Sequence, residues 1–264
     1  MNPPVNSPAI KVVKSVRDQV SAEEWQARVN LAAAYRLVAL YGYTEMIANH
    51  ISVRVPGTKD QFLLNPYGML YEEVDASSLI KIDVDGNILF NATDYSVNKA
   101  GFVIHSAVHM ARHDAACVAH THTPAGMAVS AMECGLLPLA QTSMRFVHIA
   151  YHDFEGIADD VDERERLVQH LGNHEAMILR NHGLLVCGRD VPAAFNVLYR
   201  LERACEVQVM AMAANTKLVL PSKEILEETY QKMQPKPEYA NRNGSLAWAA
   251  LRRKLDRVDT SYQN

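Results

Sequence analysis

The chain has no apolar run approaching the roughly 20 residues that a membrane-spanning helix needs. Its N-terminus does not place basic residues ahead of an apolar stretch, as a secretory signal does. Both absences predict a cytoplasmic protein that does not bind membranes. Cysteine is scarce: Cys117, Cys134, Cys187 and Cys205 lack the paired spacing of a zinc finger, and their apolar neighbours predict reduced thiols in the core. No glycine-rich phosphate loop follows a predicted strand, so nucleotide binding has no support. A formal net charge of -4 offers no basic footprint for nucleic acid. Internal repeats and low-complexity segments are absent as well. What is present is 264 residues, 48% of them hydrophobic, enough to bury a full core.

The most informative stretch runs from Ala115 to Thr123 and reads Ala-Ala-Cys-Val-Ala-His-Thr-His-Thr. Its small and β-branched residues suit a buried strand, whose side chains alternate with a period of two. His120 and His122 then point to one side, their Cβ atoms about 7 Å apart, where two imidazoles can share an ion. A catalytic zinc-type site needs about three protein ligands plus an open position. The third candidate is His182, in Leu179-Arg180-Asn181-His182-Gly183, where an apolar run from Ala176 stops at a polar pair and a turn glycine. The competing reading is a pair of buried, hydrogen-bonded histidines, since eleven histidines guarantee some chance spacings.

Residues 1–20 read as an N-terminal arm, loose over the proline-containing Met1 to Ser7 and able to extend along a neighbouring subunit beyond it. Residues 21–264 read as one domain. Ser21 and Glu24 predict a capping box, followed by helical apolar spacing from Trp25 to Leu40 and a stop at Gly42. Short strands are predicted at Ile51–Arg54, Gln61–Leu64, Leu79–Ile82 and Asn87–Phe90, the last pair joined at the hairpin signal Asp85-Gly86. A helical period returns at Phe102 and leads to the His-Thr-His strand. Further on, the spacing predicts a helix from Pro124 to about Cys134, a strand at Phe146–Ala150 and a charged helix at Asp162–Leu171. Another strand at Leu184–Cys187 precedes a long helix from Val191 to about Asn215. Helices Ser222–Met233 and Ser245–Val258 finish the chain, joined through Gln234-Pro235-Lys236-Pro237. Leu246, Trp248, Leu251 and Leu255 are expected as exposed apolar residues of the last helix.

Together the His-Thr-His strand end, the helix start at Thr123-Pro124 and the Asn-His-Gly turn resemble the class II aldolase/adducin family. So do Ile51-Ser52-Val53-Arg54 and Asn65-Pro66-Tyr67-Gly68, and the likeness covers roughly Ser21 to Ala214. It implies an α/β fold of three layers, α/β/α, around a mostly antiparallel sheet, and assembly as a homotetramer. It also implies that His120, His122 and His182 bind a divalent metal, zinc first, with manganese, cobalt or iron as alternatives.

The departures from the family pattern bear on chemistry. The family's sugar-phosphate aldolases carry Pro-Ser-Ser-Glu ahead of a helix, where this chain reads Asn98-Lys99-Ala100-Gly101. Gly101 thus replaces the acid/base glutamate, and Lys99 and Ala100 replace phosphate-gripping serines. Asn49-His50 stands where the family has Gly-Asn, while Gly68 matches. These segments look more like the adducin branch, although a long basic tail like that of adducins is not expected. The expected substrate-binding residues are Asn49, Gly68 and Lys99, the last through a substrate carboxylate. His105, one helical turn beyond Gly101, is the candidate acid/base beside Lys99. His109 and His113 are expected to be structural or solvated.

The function expected is a metal-dependent carbon-carbon lyase acting on a small hydroxy- or oxo-carboxylate rather than a sugar phosphate. Two alternatives stand beside it: a non-catalytic assembly module like an adducin head, and a mononuclear non-haem iron enzyme, although the usual iron triad has two histidines and a carboxylate.

Overall fold

A computed structural model describes residues 15–156, 161–234 and 244–264, without the side chains of residues 99–100 and 161–163. Most of the predicted arm and the Pro235-Lys236-Pro237 linker lie outside the described residues. The arm's last residues form a 3-10 turn, Val16–Gln19, with Val16 buried. Helix α1 (Ala22–Leu40) is capped as expected by the Ser21 side chain, which accepts from the Glu24 amide. The reciprocal half of the capping box is not made. The Glu24 carboxylate instead meets the buried Arg28 guanidinium at 3.0 Å and Lys81 at 2.9 Å, because a buried cation needs a paired anion.

Four strands follow: β1 (His50–Arg54), β2 (Gln61–Leu64), β3 (Ile80–Asp83) and β4 (Ile88–Phe90). Helix α2 (Lys99–Ala111) leads to β5 (Cys117–Thr121), and α3 (Pro124–Ser130) begins at the Thr123 cap. This helix is shorter than the periodicity predicts. Gln208 explains it, since its amide donates to Gly135 O at 2.8 Å and accepts from Leu137 N at 2.6 Å, drawing the chain away after Ser130. Cys134 in this turn is exposed, a correction to its expected core position, whereas Cys117, Cys187 and Cys205 are buried thiols.

The strand expected at Phe146–Ala150 is also corrected. Ser143–Phe146 is a 3-10 turn and β6 spans Ala150–His152, starting where β7 offers a partner, with Ala150 opposite Met177. The chain continues through α4 (Val161–Leu171), β7 (Ala176–Leu179), β8 (Gly183–Gly188), α5 (Val191–Ala213), α6 (Lys223–Met233) and α7 (Ser245–Asp256). On α7 the expected exposure holds for Leu246, at 73%, but Trp248 and Leu255 are buried in the core. The Trp248 ring packs edge-on against Phe195 of α5, 5.7 Å between centroids.

Among the described residues the eight strands form one sheet in the order β4-β3-β2-β1-β5-β8-β7-β6. Every neighbouring pair is antiparallel except β6 with β7. The alternation of β5 separates two layers. Cys117 and Ala119 join a core with α1 and α5 residues such as Leu37 and Leu198. Val118 joins Ile104, Val108 and Leu167 of α2 and α4 on the opposite face. The result is the expected three-layer α/β/α arrangement.

Candidate metal centre

His120 lies on the α2 face of β5, in register with His50 of β1 and Leu185 of β8. His122 follows two residues later on the same side, just ahead of the α3 cap. His182 sits in the three-residue β7–β8 hairpin loop, where Asn181 adopts a left-handed φ of 55° that asparagine tolerates. Gly183 completes the loop because a Cβ there would stand 2.3 Å from the Thr121 carbonyl oxygen. Close passage of the two strands at this point brings three rings together. Their centroids are 4.5 Å apart for His120 and His122, 4.7 Å for His120 and His182, and 4.8 Å for His122 and His182.

Each strand histidine is oriented by its Nδ1. His120 Nδ1 donates to the Leu184 carbonyl at 2.9 Å, and His122 Nδ1 donates to the Glu45 carboxylate at 2.6 Å. A neutral imidazole with Nδ1–H carries its lone pair on Nε2. Both lone pairs therefore face one another, with the Nε2 atoms 2.7 Å apart. Two acceptors at that distance repel unless a proton or a cation lies between them. The ligand atoms of all three histidines lie within 4.8 Å of one another. Burial holds His120 well below the usual imidazole range and lowers His182 to about 4, so these two rings are neutral at pH 7, the form that ligates metals. This donor set and its carboxylate and carbonyl partners fit a divalent ion.

The other expected residues are placed as follows. Asn49 is 2% exposed, at a left-handed φ of 74°, and neither amide atom has a hydrogen-bond partner among the described residues. Gly68 lies after β2 at φ 120°, its Cα close under the Tyr95 ring. Lys99 is the first residue of α2, but its side chain lies outside the described residues. His105 is wholly buried and stands behind His50, its Nε2 2.9 Å from His50 Nδ1. His109 is wholly buried and His113 is exposed.

Four residues escaped the sequence reading. Glu45 orients His122, and no local pattern marks it. Glu202 of α5 is fully buried beneath β5 and accepts from Thr121 Oγ1 and Thr123 Oγ1, each at 2.5 Å, bracketing His122 from the opposite face. Its signal was legible: it occupies the apolar stripe of Leu198, Leu201 and Cys205, where a charged residue needs a reason. His50 and Ser52 alternate with Arg54 as polar residues on one face of a buried strand, a second overlooked signal.

Comparison with known proteins agrees with this fold. The sequence pattern of the Class II Aldolase and Adducin N-terminal domain matches residues 29–209. A crystal structure of an aldolase II superfamily protein from Pseudomonas syringae superposes with a TM-score of 0.89 at 49% identity, covering 95% of this chain and 100% of that one. An L-fuculose 1-phosphate aldolase from Glaciozyma antarctica superposes with a TM-score of 0.80 at 26% identity, covering 92% and 94% of the two chains. Alpha-adducin of Rattus norvegicus is 47% identical over 189 residues, 71% of this chain and 26% of adducin. The chain belongs to the class II aldolase and adducin family.

Proposed function

We propose that this chain is a metal-dependent carbon-carbon lyase acting on a small hydroxy- or oxo-carboxylate, by retro-aldol cleavage or decarboxylation. His120, His122 and His182 hold a divalent ion, zinc first, with manganese, cobalt or iron as alternatives. The observation that carries this reading is the opposed pair of Nε2 lone pairs, 2.7 Å apart, with both Nδ1 atoms already engaged. When bound, such an ion stabilises negative charge on a substrate oxygen by several kcal/mol.

The chain's own groups supply the rest. Glu45 and the Leu184 carbonyl hold the two rings in their ligating tautomers. Asn49 offers a buried amide whose donor and acceptor lack partners among the described residues, an arrangement costly without a ligand and suited to a substrate hydroxyl or carbonyl. Lys99 at the start of α2 supplies charge for a carboxylate. His105 contributes proton transfer from behind His50, and Gly68 shapes the turn after β2. The site serves a small-molecule substrate, and assembly as a homotetramer in the cytoplasm is part of the proposal. Among the described residues no helix is long and apolar enough to cross a membrane.

A second reading, a non-catalytic assembly module, is favoured by the 47% identity to alpha-adducin. Metal analysis of untagged protein separates the two, and stoichiometric zinc, manganese or cobalt is expected. Its absence would favour the module, and iron together with oxygen-dependent turnover would favour an oxygenase. His122→Ala should lose most of the bound metal while the exposed His113→Ala keeps it. Equal retention by both variants would count against the three-histidine assignment. A screen of hydroxy-acids for aldehyde or carbon dioxide release then tests the reaction.

A further inference from the structure

Beside the triad stands a second row of polar side chains, of which the proposed function uses only His105. His50 is 5% exposed, and Ser52, His105 and His109 have no exposure at all. His50 Nδ1 lies 2.9 Å from His105 Nε2, His105 Nδ1 lies 2.5 Å from Ser52 Oγ, and Ser52 Oγ lies 2.7 Å from His109 Nε2. The row ends at the metal centre, where the His50 ring is 5.3 Å from that of His120. Gly101 of α2 faces the same ring. A Cβ at position 101 would stand 2.2 Å from His50 Cδ2 and 2.5 Å from its Nε2. No side chain at position 101 can enter that space, because the imidazole fills it.

We propose that His50 is the residue that meets the substrate beside the metal centre, and that His105, Ser52 and His109 position it by setting which of its ring nitrogens carries the proton. The inference rests on the metal-dependent reading of the site. Its chemistry follows from the single hydroxyl proton of Ser52, which two imidazole nitrogens share. If Ser52 donates to His105 Nδ1, then His105 donates from Nε2 to His50 Nδ1, and His50 presents Nε2–H as a donor. With the Ser52 proton on the His109 side, His105 donates from Nδ1 to Ser52 Oγ and its Nε2 accepts from His50 Nδ1–H. His50 Nε2 is then an acceptor. Both arrangements hold the same number of protons, and neither places a charge in the buried row, where an unpaired charge would be costly. The row thus gives one ring two opposite hydrogen-bonding characters toward a ligand.

The test uses the full-length protein loaded with cobalt(II), with acetohydroxamate, a bidentate enolate mimic, as probe. His50→Phe keeps a ring over Gly101 without its nitrogens, and His50→Asn is the second variant should the first misfold. The expected result is cobalt uptake and a visible spectrum like wild type, with acetohydroxamate bound about 10-fold more weakly, the loss of one good hydrogen bond. Ser52→Ala should retain cobalt but shift the His50 tautomer ratio in long-range ¹H–¹⁵N spectra, which a packing role alone would not do. Unchanged hydroxamate affinity in both His50 variants, or loss of cobalt from them, overturns the role of His50. An unchanged tautomer ratio in Ser52→Ala overturns the positioning row. Failure of wild type to take up cobalt overturns the metal centre itself, and this inference with it.

Discussion

Glu202 is a carboxyl with no solvent contact, held between Thr121 and Thr123. Burial pushes its pKa up to about 7, against an ordinary 4.5. Between these values the folded state binds more protons than the unfolded one, so this group makes stability fall as pH rises. Its contribution is complete below about pH 4.5 and lost as pH passes 7. Glu202→Gln should remove that slope, which urea unfolding at several pH values between 4.5 and 7.5 would read as a mutant-minus-wild-type difference that grows more favourable with pH. Glu202→Ala leaves two buried hydroxyls without their acceptor and should cost about 2–4 kcal/mol at pH 5. A flat difference for Glu202→Gln would show that the carboxyl titrates alike in both states.

At the scale of elements, α2 and β1 meet through Gly101 and His50 without room for a further atom. Gly101→Ala should therefore overpack this contact by about 1–3 kcal/mol, and His50→Ala combined with it should cost less than the two single changes added together. Additive losses in a double-mutant cycle would refute the contact. The same crowding bears on substrate choice. A positioned acid/base is worth about 10²–10⁴ in rate, and the first turn of α2 carries Lys99-Ala100-Gly101 rather than hydroxyls and a carboxylate. Sugar phosphates such as fuculose 1-phosphate should be cleaved poorly, and Gly101→Glu should not restore cleavage. A wild-type kcat/KM near about 10⁴ M⁻¹s⁻¹ on such a substrate would contradict this. Elements were legible where the period is local. The His-x-His alternation, the Asn-His-Gly turn and the apolar stripe of α5 announce themselves within a few residues. The polar alternation of His50 and Ser52 was legible, but what His50 meets was not, because it comes from pairing β1 with β5, opposite His120; Glu45 was not legible at all, since it reaches His122 only through the fold. The end of α3 was missed for the same reason, since Gln208 acts on it from α5.

For the whole molecule, the decisive feature is where the strand that carries His120 stands in the sheet order. β5 is fourth from the β6 edge, hydrogen-bonded to β1 on one side and β8 on the other, while β4 and β6 form the two edges. The strand that carries His120 thus cannot fray without dissolving the sheet on both sides. Its amide protons should exchange with deuterium only through global unfolding, at rates set by total stability and slowed further by added zinc. Edge amides in β4 and β6 should exchange orders of magnitude faster and respond little to metal. Comparable protection factors for β5 and β4 would break this picture. An ion reaching the three histidines then arrives through side-chain motion alone, so loading a folded molecule and refolding one in the presence of metal should yield the same centre.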